Sequence, residues 1–142
     1  MGRRPPVSAL VVDTSALISI LGRESDNVLF ANAIARSELP SISSGTLYEA
    51  YCVALRGRYP EGAARLEAIV SELQLEILAF DLVQLSAARL AYSTYGRGTG
   101  HPANLNMGDC FAYALAKTRD LPLLFKGDDF IHTDITPVLK PA

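Results

Sequence analysis

Short apolar runs alternate with amphipathic segments along the chain. Residues 9–12 are apolar at successive positions, as in a strand buried on both faces, and Asp13 then begins a helical pattern that stops at Gly22. This strand-then-helix order returns along the chain and predicts an α/β domain of three layers, with a mostly parallel central sheet and helices on both faces. The predicted strands are residues 9–12, 39–43, 75–80 and 123–125, with residues 135–138 as an edge strand because Pro137 lacks an N–H.

Capping residues mark where two of the later helices begin. Thr46 and Glu49 have the spacing of a capping box and predict a helix that is capped by Thr46. Asn106 caps a helix that is apolar nearly all round, which predicts that this helix is buried against the sheet. Of the 142 residues, 49% are hydrophobic and 20% are charged, so we expect residues 1–142 to form a single domain.

The charge balance excludes a broad surface for gripping nucleic acid. Lys and Arg number 13 against 15 for Asp and Glu, a net charge of -2, so any contact with a phosphate backbone must be local. Cys52 and Cys110 lie in apolar segments, and we expect both to pack as free thiols in a reducing cytosol.

The start of the chain faintly resembles a signal peptide. Arg3 and Arg4 precede apolar residues, but Pro5, Pro6 and Asp13 interrupt any continuous hydrophobic region. Elsewhere no run approaches the roughly 20 apolar residues of a membrane-spanning helix. We therefore expect a cytoplasmic protein that does not associate with a membrane.

Carboxylates follow three of the predicted strands and begin the buried helix. Ligands of parallel α/β sheets bind beyond the carboxyl ends of the strands, so residues at that edge are candidates for a site. The acids concerned are Asp13, Glu49, Asp109, Asp128 and Asp129.

Each of these acids also has a purely structural interpretation. Asp13 could cap its helix, Glu49 could complete the Thr46 capping box, and Asp109 could interact with the helix dipole. Asp128 and Asp129 could belong to an ordinary solvated turn. Their joint placement favours a site, because carboxylates within ~4 Å repel by roughly 1 kcal/mol in water unless a cation lies between them. Oxygen ligands without a histidine or cysteine cluster favour Mg²⁺, for which Mn²⁺ can substitute. His101 and His132 are too far apart in sequence to suggest a metal motif.

Several motifs along the chain, in order, resemble the toxin ribonucleases of bacterial VapBC toxin–antitoxin modules, which are PIN-domain proteins. The resemblance spans essentially the whole sequence. The motifs are Asp13-Thr14-Ser15-Ala16-Leu17, Glu49, Thr94-Tyr95-Gly96-Arg97-Gly98, Asn106-Met107-Gly108-Asp109-Cys110, Lys126-Gly127-Asp128-Asp129-Phe130 and Thr133-Asp134-Ile135.

The resemblance implies a PIN-like fold and a magnesium-dependent endoribonuclease. By position, Asp13 and Asp109 match the metal ligands and Glu49 matches the second acid. The catalytic set it implies is Asp13, Glu49, Asp109 and Asp128, with Asp129 and Asp134 as alternatives for the fourth acid. It implies attack on a backbone phosphorus by water that the metal activates, without a covalent intermediate. The expected partners are RNA, a VapB-type antitoxin and a second copy of the chain.

Two alternative functions, and the role of Thr14 and Ser15, stay open at this point. A PIN-like domain that only binds RNA or a partner would be favoured if one of the acids were missing, and none clearly is. A phosphatase with Asp13 as nucleophile would need an acid two residues later, where this chain has Ser15. Thr14 and Ser15 could orient the carboxylates or simply cap the helix.

Overall fold

The structure, a computed structural model, describes residues 9–140. The basic and proline-rich start that resembles a signal peptide lies outside the described residues. The elements are β1 (Leu10–Val12), α1 (Thr14–Leu21), α2 (Asn27–Arg36), β2 (Pro40–Ser43), α3 (Ser44–Ala54), α4 (Gly62–Glu72), β3 (Glu76–Leu78), α5 (Leu82–Tyr95), α6 (Met107–Arg119), β4 (Leu123–Leu124) and a 3₁₀ turn (Asp129–His132).

The four strands form one parallel sheet in the order β3-β2-β1-β4. In the centre, Leu10 of β1 pairs with Pro40 of β2, and Val11 pairs with Leu123 of β4. All carboxyl ends therefore lie at the same edge, which confirms the predicted parallel sheet. The predicted strand at residues 135–138 is reduced to a single bridge between Leu123 and Pro137, on the outer side of β4.

Hydrophobic cores on both sides of the sheet confirm the three-layer arrangement. Leu10 and Val12 point to one core, which includes side chains of α1, α2, α3 and α4. Val11 points to the other core, together with side chains of α5 and α6. Successive residues of a strand face opposite sides, so the apolar run of β1 serves both layers.

Helix caps fix where α1, α3 and α6 begin. The Asp13 carboxylate accepts a hydrogen bond from the Ser15 N–H, and Asn106 and Asp109 form a reciprocal capping box, as the N-terminal patterns predict. The predicted capping box at Thr46 is wrong, because the helix cap lies three residues earlier, at Ser43. Ser43 accepts a hydrogen bond from the Gly45 N–H and caps the helix. Thr46 therefore lies within α3, and its side chain is fully buried.

The two cysteines have different environments. Cys110 is buried, as expected, whereas Cys52 is exposed on α3, so the prediction of a packed thiol is wrong there. Within residues 9–140, no helix has the length and apolarity needed to cross a membrane.

Candidate active site

Asp13 lies at the carboxyl end of the central strand and is only 4% exposed. The pKa of its carboxyl is raised to about 6, mainly by burial and also by the negative charge of Glu49, while hydrogen bonds from Ser15 act in the opposite direction. A carboxylate at this position is therefore desolvated and faces a second acid. Removing water from a charge is unfavourable unless a counter-charge replaces it.

Ser15 connects Asp13 to the loop that follows β4. Its hydroxyl donates to Asp13 Oδ2 at 2.6 Å and accepts from the backbone N–H of Lys126 at 2.9 Å. The same Asp13 oxygen accepts the Ser15 N–H at 3.0 Å. The hydrogen bonds between Ser15 and Asp13 therefore both cap α1 and orient the Asp13 carboxylate.

Glu49 reaches the site from the second turn of α3. Its Oε1 accepts a hydrogen bond from Thr14 Oγ1 at 2.6 Å, which brings it beside the beginning of α1. A Cβ added at Gly108 would overlap the Glu49 carboxylate. The lack of a side chain at Gly108 therefore provides the space that Glu49 occupies beside Asp109.

Asp109, in the first turn of α6, interacts with the other acids. The pKa of its carboxyl is raised to about 7, mainly by burial and also by the charges of Asp13, Asp129 and Glu49, while the hydrogen bond from the Asn106 N–H acts in the opposite direction. One of its oxygens, Oδ2, accepts the Asn106 N–H at 2.9 Å. The acids that follow three separate strands and begin α6 are close enough to repel one another, as their positions predict.

The segment after β4 carries the acids that were predicted as candidates for the fourth position. Asp128 and Asp129 are both exposed, and only the charge of Asp129 is among the causes that raise the pKa of Asp109. Asp134 is held elsewhere: its carboxylate accepts from Tyr113 Oη and from Lys117 Nζ, both at 2.7 Å. These contacts direct Asp134 toward the later turns of α6 and leave Asp128 and Asp129 as the candidates.

His101 has a structural role in the glycine-rich loop. Its Nδ1 accepts the Ala103 N–H at 3.0 Å, and its ring packs edge-on against Tyr95 with the centroids 4.8 Å apart. His132 is exposed in the 3₁₀ turn. These contacts hold the His101 ring within its own loop.

Comparison with known proteins decides the family. The sequence profile of the PIN domain matches residues 10–135. Ribonuclease VapC42 of Mycobacterium tuberculosis is 40% identical over 128 residues, which cover 90% of this chain and 98% of that protein. The chain belongs to the VapC group of PIN-domain proteins. Ribonuclease VapC30 of the same organism is 41% identical over 133 residues, 93% of this chain and 100% of that protein.

Solved VapC structures share the fold of this PIN domain. VapC20 of Mycobacterium tuberculosis aligns with a TM-score of 0.70 at 15% identity, over 91% of this chain and 98% of that chain. A chain of VapBC2 from Rickettsia felis aligns with a TM-score of 0.68 at 14% identity, over 91% and 96% of the two chains. The predicted PIN-like architecture is confirmed.

The donor set of this PIN domain fits a hard cation. Among the described residues, no Lys or Arg forms an ion pair with Asp13, Glu49, Asp109 or Asp129. In the same part of the chain, no three His, Cys, Asp or Glu side chains are grouped tightly enough to enclose a metal. Mg²⁺ fits both observations, because this ion keeps several of its waters and needs only one or two carboxylates from the protein.

Proposed function

We propose that this VapC-group protein is a magnesium-dependent endoribonuclease and the toxin of a type II toxin–antitoxin pair, acting in the cytoplasm. The observation that carries the proposal is the convergence of buried Asp13, Glu49 beside Gly108, and Asp109 at one edge of the sheet, where the charges of Asp13, Asp129 and Glu49 raise the pKa of Asp109. Relatives that are 40% identical over nearly their whole length bear the name ribonuclease, which supports RNA as the substrate class.

Asp13 and Asp109 are the proposed metal ligands. Mg²⁺, or Mn²⁺ in its place, would activate water and neutralise charge on the phosphate. Ser15 stabilises the ionised form of Asp13 through two hydrogen bonds, which favours the state that binds a cation. Thr14 fixes the carboxylate of Glu49 beside the site. There the carboxylate would contact the cation directly or through a water molecule.

The fourth acid is proposed from the pair Asp128 and Asp129. Asp128 follows from the position of the motif and stays a prediction. Asp129 has the additional support that its charge acts on Asp109. Its neighbour Phe130 is 2% exposed and packs against Phe125, with ring centroids 5.1 Å apart, so the turn that holds Asp129 is anchored in the core.

A VapB-type antitoxin is the proposed protein partner. Solved relatives of similar fold include VapBC complexes, one of them from Salmonella typhimurium. An antitoxin segment that inserts a basic side chain such as Arg would replace the cation and neutralise the acids.

We also propose a homodimer, because α5 exposes a series of large apolar side chains. Leu82 is 80% exposed, Val83 66% and Leu90 68%, and Met107 of α6 is 74% exposed. Apolar surface of this kind is commonly buried against a partner. Light scattering on Leu82→Glu and on the parent protein tests this assembly.

The decisive test of the proposed activity is cleavage of single-stranded RNA by the purified protein. We expect cleavage with Mg²⁺ or Mn²⁺, none in excess EDTA, and recovery when metal is restored. If the protein binds RNA but does not cleave it with either metal, the alternative of a non-catalytic binding domain would be favoured. Expression of the protein alone should arrest growth, and co-expression of its antitoxin should relieve the arrest.

A further inference from the structure

A cavity of about 520 Å³ lies apart from the acidic site, where the end of α1 meets the connection between α3 and α4. Its walls include three arginines, Arg23, Arg58 and Arg65. The chain as a whole has a net charge of -2, so three arginines around one cavity form a local basic region that the overall charge does not predict.

The three guanidinium groups have no carboxylate partner among residues 9–140. Two acids also line the cavity. Glu24 is engaged by Lys126, whose Nζ lies 2.5 Å from Glu24 Oε1, and this leaves Glu61 as the one lining carboxylate without an ion pair in the described chain. The lining therefore has an excess of positive charge.

Contacts with neutral groups hold two of these arginines in place. Arg65 Nη2 donates to the Leu21 carbonyl at 2.5 Å and Nη1 to the Pro60 carbonyl at 3.5 Å, while Arg58 lies 5.0 Å from the centroid of the Tyr59 ring. Such contacts fix a guanidinium without neutralising it. A fixed, unneutralised guanidinium binds phosphate oxygens well, because its donors are already oriented as a fork.

A short series of contacts connects this cavity to the acidic site. Glu24 of the cavity binds the Lys126 side chain, the Lys126 N–H binds Ser15, and Ser15 binds Asp13. The eight residues of α1 span roughly 12 Å at 1.5 Å per residue. A single strand of RNA with one phosphate at Asp13 and Asp109 would need only a few nucleotides to reach the arginines.

We propose that this cavity is a subsite for backbone phosphates of the single-stranded RNA substrate, gripped by Arg23, Arg58 and Arg65 away from the cleaved bond. The proposal rests on the proposed ribonuclease function and deepens it. The contacts that join the cavity to Asp13 favour RNA over an acidic segment of a protein partner, because one strand can occupy both regions at once.

The test measures RNA affinity without cleavage. A fluorescently labelled single-stranded oligoribonucleotide is titrated in EDTA over a salt series, and its anisotropy is recorded for the parent protein and for Arg23→Gln/Arg58→Gln. Each phosphate contact with a single strand releases about 0.7 counterion. Loss of two contacts should therefore weaken binding roughly 25-fold at about 0.1 M salt and reduce the slope of log K against log salt by about 1.4.

Matched variants separate a local effect from a change of net charge. Arg36→Gln/Arg119→Gln removes two exposed arginines that do not line the cavity, and its affinity should stay within about twofold of the parent. Arg23→Lys/Arg58→Lys keeps both charges and should keep the salt slope. Melting temperatures check that each variant folds, and the single variant Arg23→Gln replaces the double variant if that one does not.

Several results would overturn the subsite. Among them are a parent protein that does not bind the oligoribonucleotide, and an Arg23→Gln/Arg58→Gln variant with unchanged affinity and slope. Unchanged RNA binding with weakened antitoxin binding would assign the cavity to an acidic protein segment instead. Failure of the proposed activity is distinguishable, because it would show as arginine-dependent RNA binding with no cleavage in Mg²⁺.

Discussion

Asp13 and Asp129 follow neighbouring parallel strands, yet the protein holds them in different ways. Asp13 is buried at the end of β1 and its oxygen accepts two hydrogen bonds from Ser15. Asp129 is exposed in a 3₁₀ turn, in a loop joined to α1 by the bond from the Lys126 N–H to Ser15. The buried Asp13 is thus fixed by the sheet and its helices, whereas the exposed Asp129 depends on one irregular loop.

Substitution of Asp109, which is partly buried, should show the largest effect. Asp109→Asn is expected to reduce cleavage about 100-fold or more, because it removes charge where the phosphate is stabilised. An ordinary aspartate has a pKa near 3.9, and burial raises that of Asp109 to about 7. The folded state therefore keeps a proton that the unfolded state has lost between about pH 4 and 7, so ionisation progressively destabilises the fold as pH rises through this window.

Replacing Asp109 by Asn removes that penalty. In EDTA at about pH 8 the variant should melt several degrees above the parent, and the difference should disappear near pH 4. Thermal unfolding across this pH range measures it. A marked loss of stability at about pH 8 would instead mean that the carboxylate serves mainly in the capping box with Asn106.

Gly108→Ala tests whether the space beside α6 positions Glu49. The new Cβ would displace the Glu49 carboxylate, so we expect a 10- to 100-fold loss of cleavage, typical of a displaced group that supports a metal site. Stability should change by less than about 1 kcal/mol, since alanine is favoured over glycine inside a helix. Gly57→Ala is the control, because a Cβ there meets nothing within 4 Å. Full activity of Gly108→Ala would show that cleavage does not depend on the position of the Glu49 carboxylate.

Ser15→Ala should have a smaller effect that depends on pH. Its hydrogen bonds lower the pKa of Asp13, so losing the hydroxyl should move that pKa above about 6 and shift the acid limb of the rate profile to higher pH. We expect roughly tenfold lower activity at about pH 6 and a smaller loss at about pH 8. Ser15→Thr keeps the hydroxyl and should retain the parent profile. Equal losses at both pH values would argue for a purely structural role.

The exposed pair should give the smallest effects. Asp129→Asn is expected to reduce cleavage several-fold, because its charge reaches Asp109, whereas Asp128→Asn should have less effect. Steady-state rates of both variants, with melting temperatures as a check on folding, decide the order. The reverse order would return the fourth position to Asp128, as the motif position predicts.

The regular parts of the site could be predicted from the sequence because local patterns determine them. An apolar run followed by Asp13, and Asn106 three residues before Asp109, each specify a strand end or a helix start with little competition. Parallel crossovers then bring these ends to one edge of the sheet.

The other features of the site depend on contacts between segments that are distant in the sequence. Glu49 fitted a capping box, but Ser43 caps α3 first, and the actual partner is Thr14, thirty-five residues away. The spacing gave no signal that Gly108 makes room for Glu49. In the irregular turn after β4, a shift of one residue changes the direction of a side chain, so position alone could not rank Asp128 and Asp129.

Calorimetric titration of Mn²⁺ into the parent protein and into Asp109→Asn tests the central claim, that acids from separate elements form one cation site. The account predicts saturable binding to the parent at about pH 8 and at least tenfold weaker binding to the variant. Binding to the parent should weaken as pH falls through about 7 and 6, where Asp109 and Asp13 take up protons. Equal affinity of both proteins, or no binding to the parent, would contradict it.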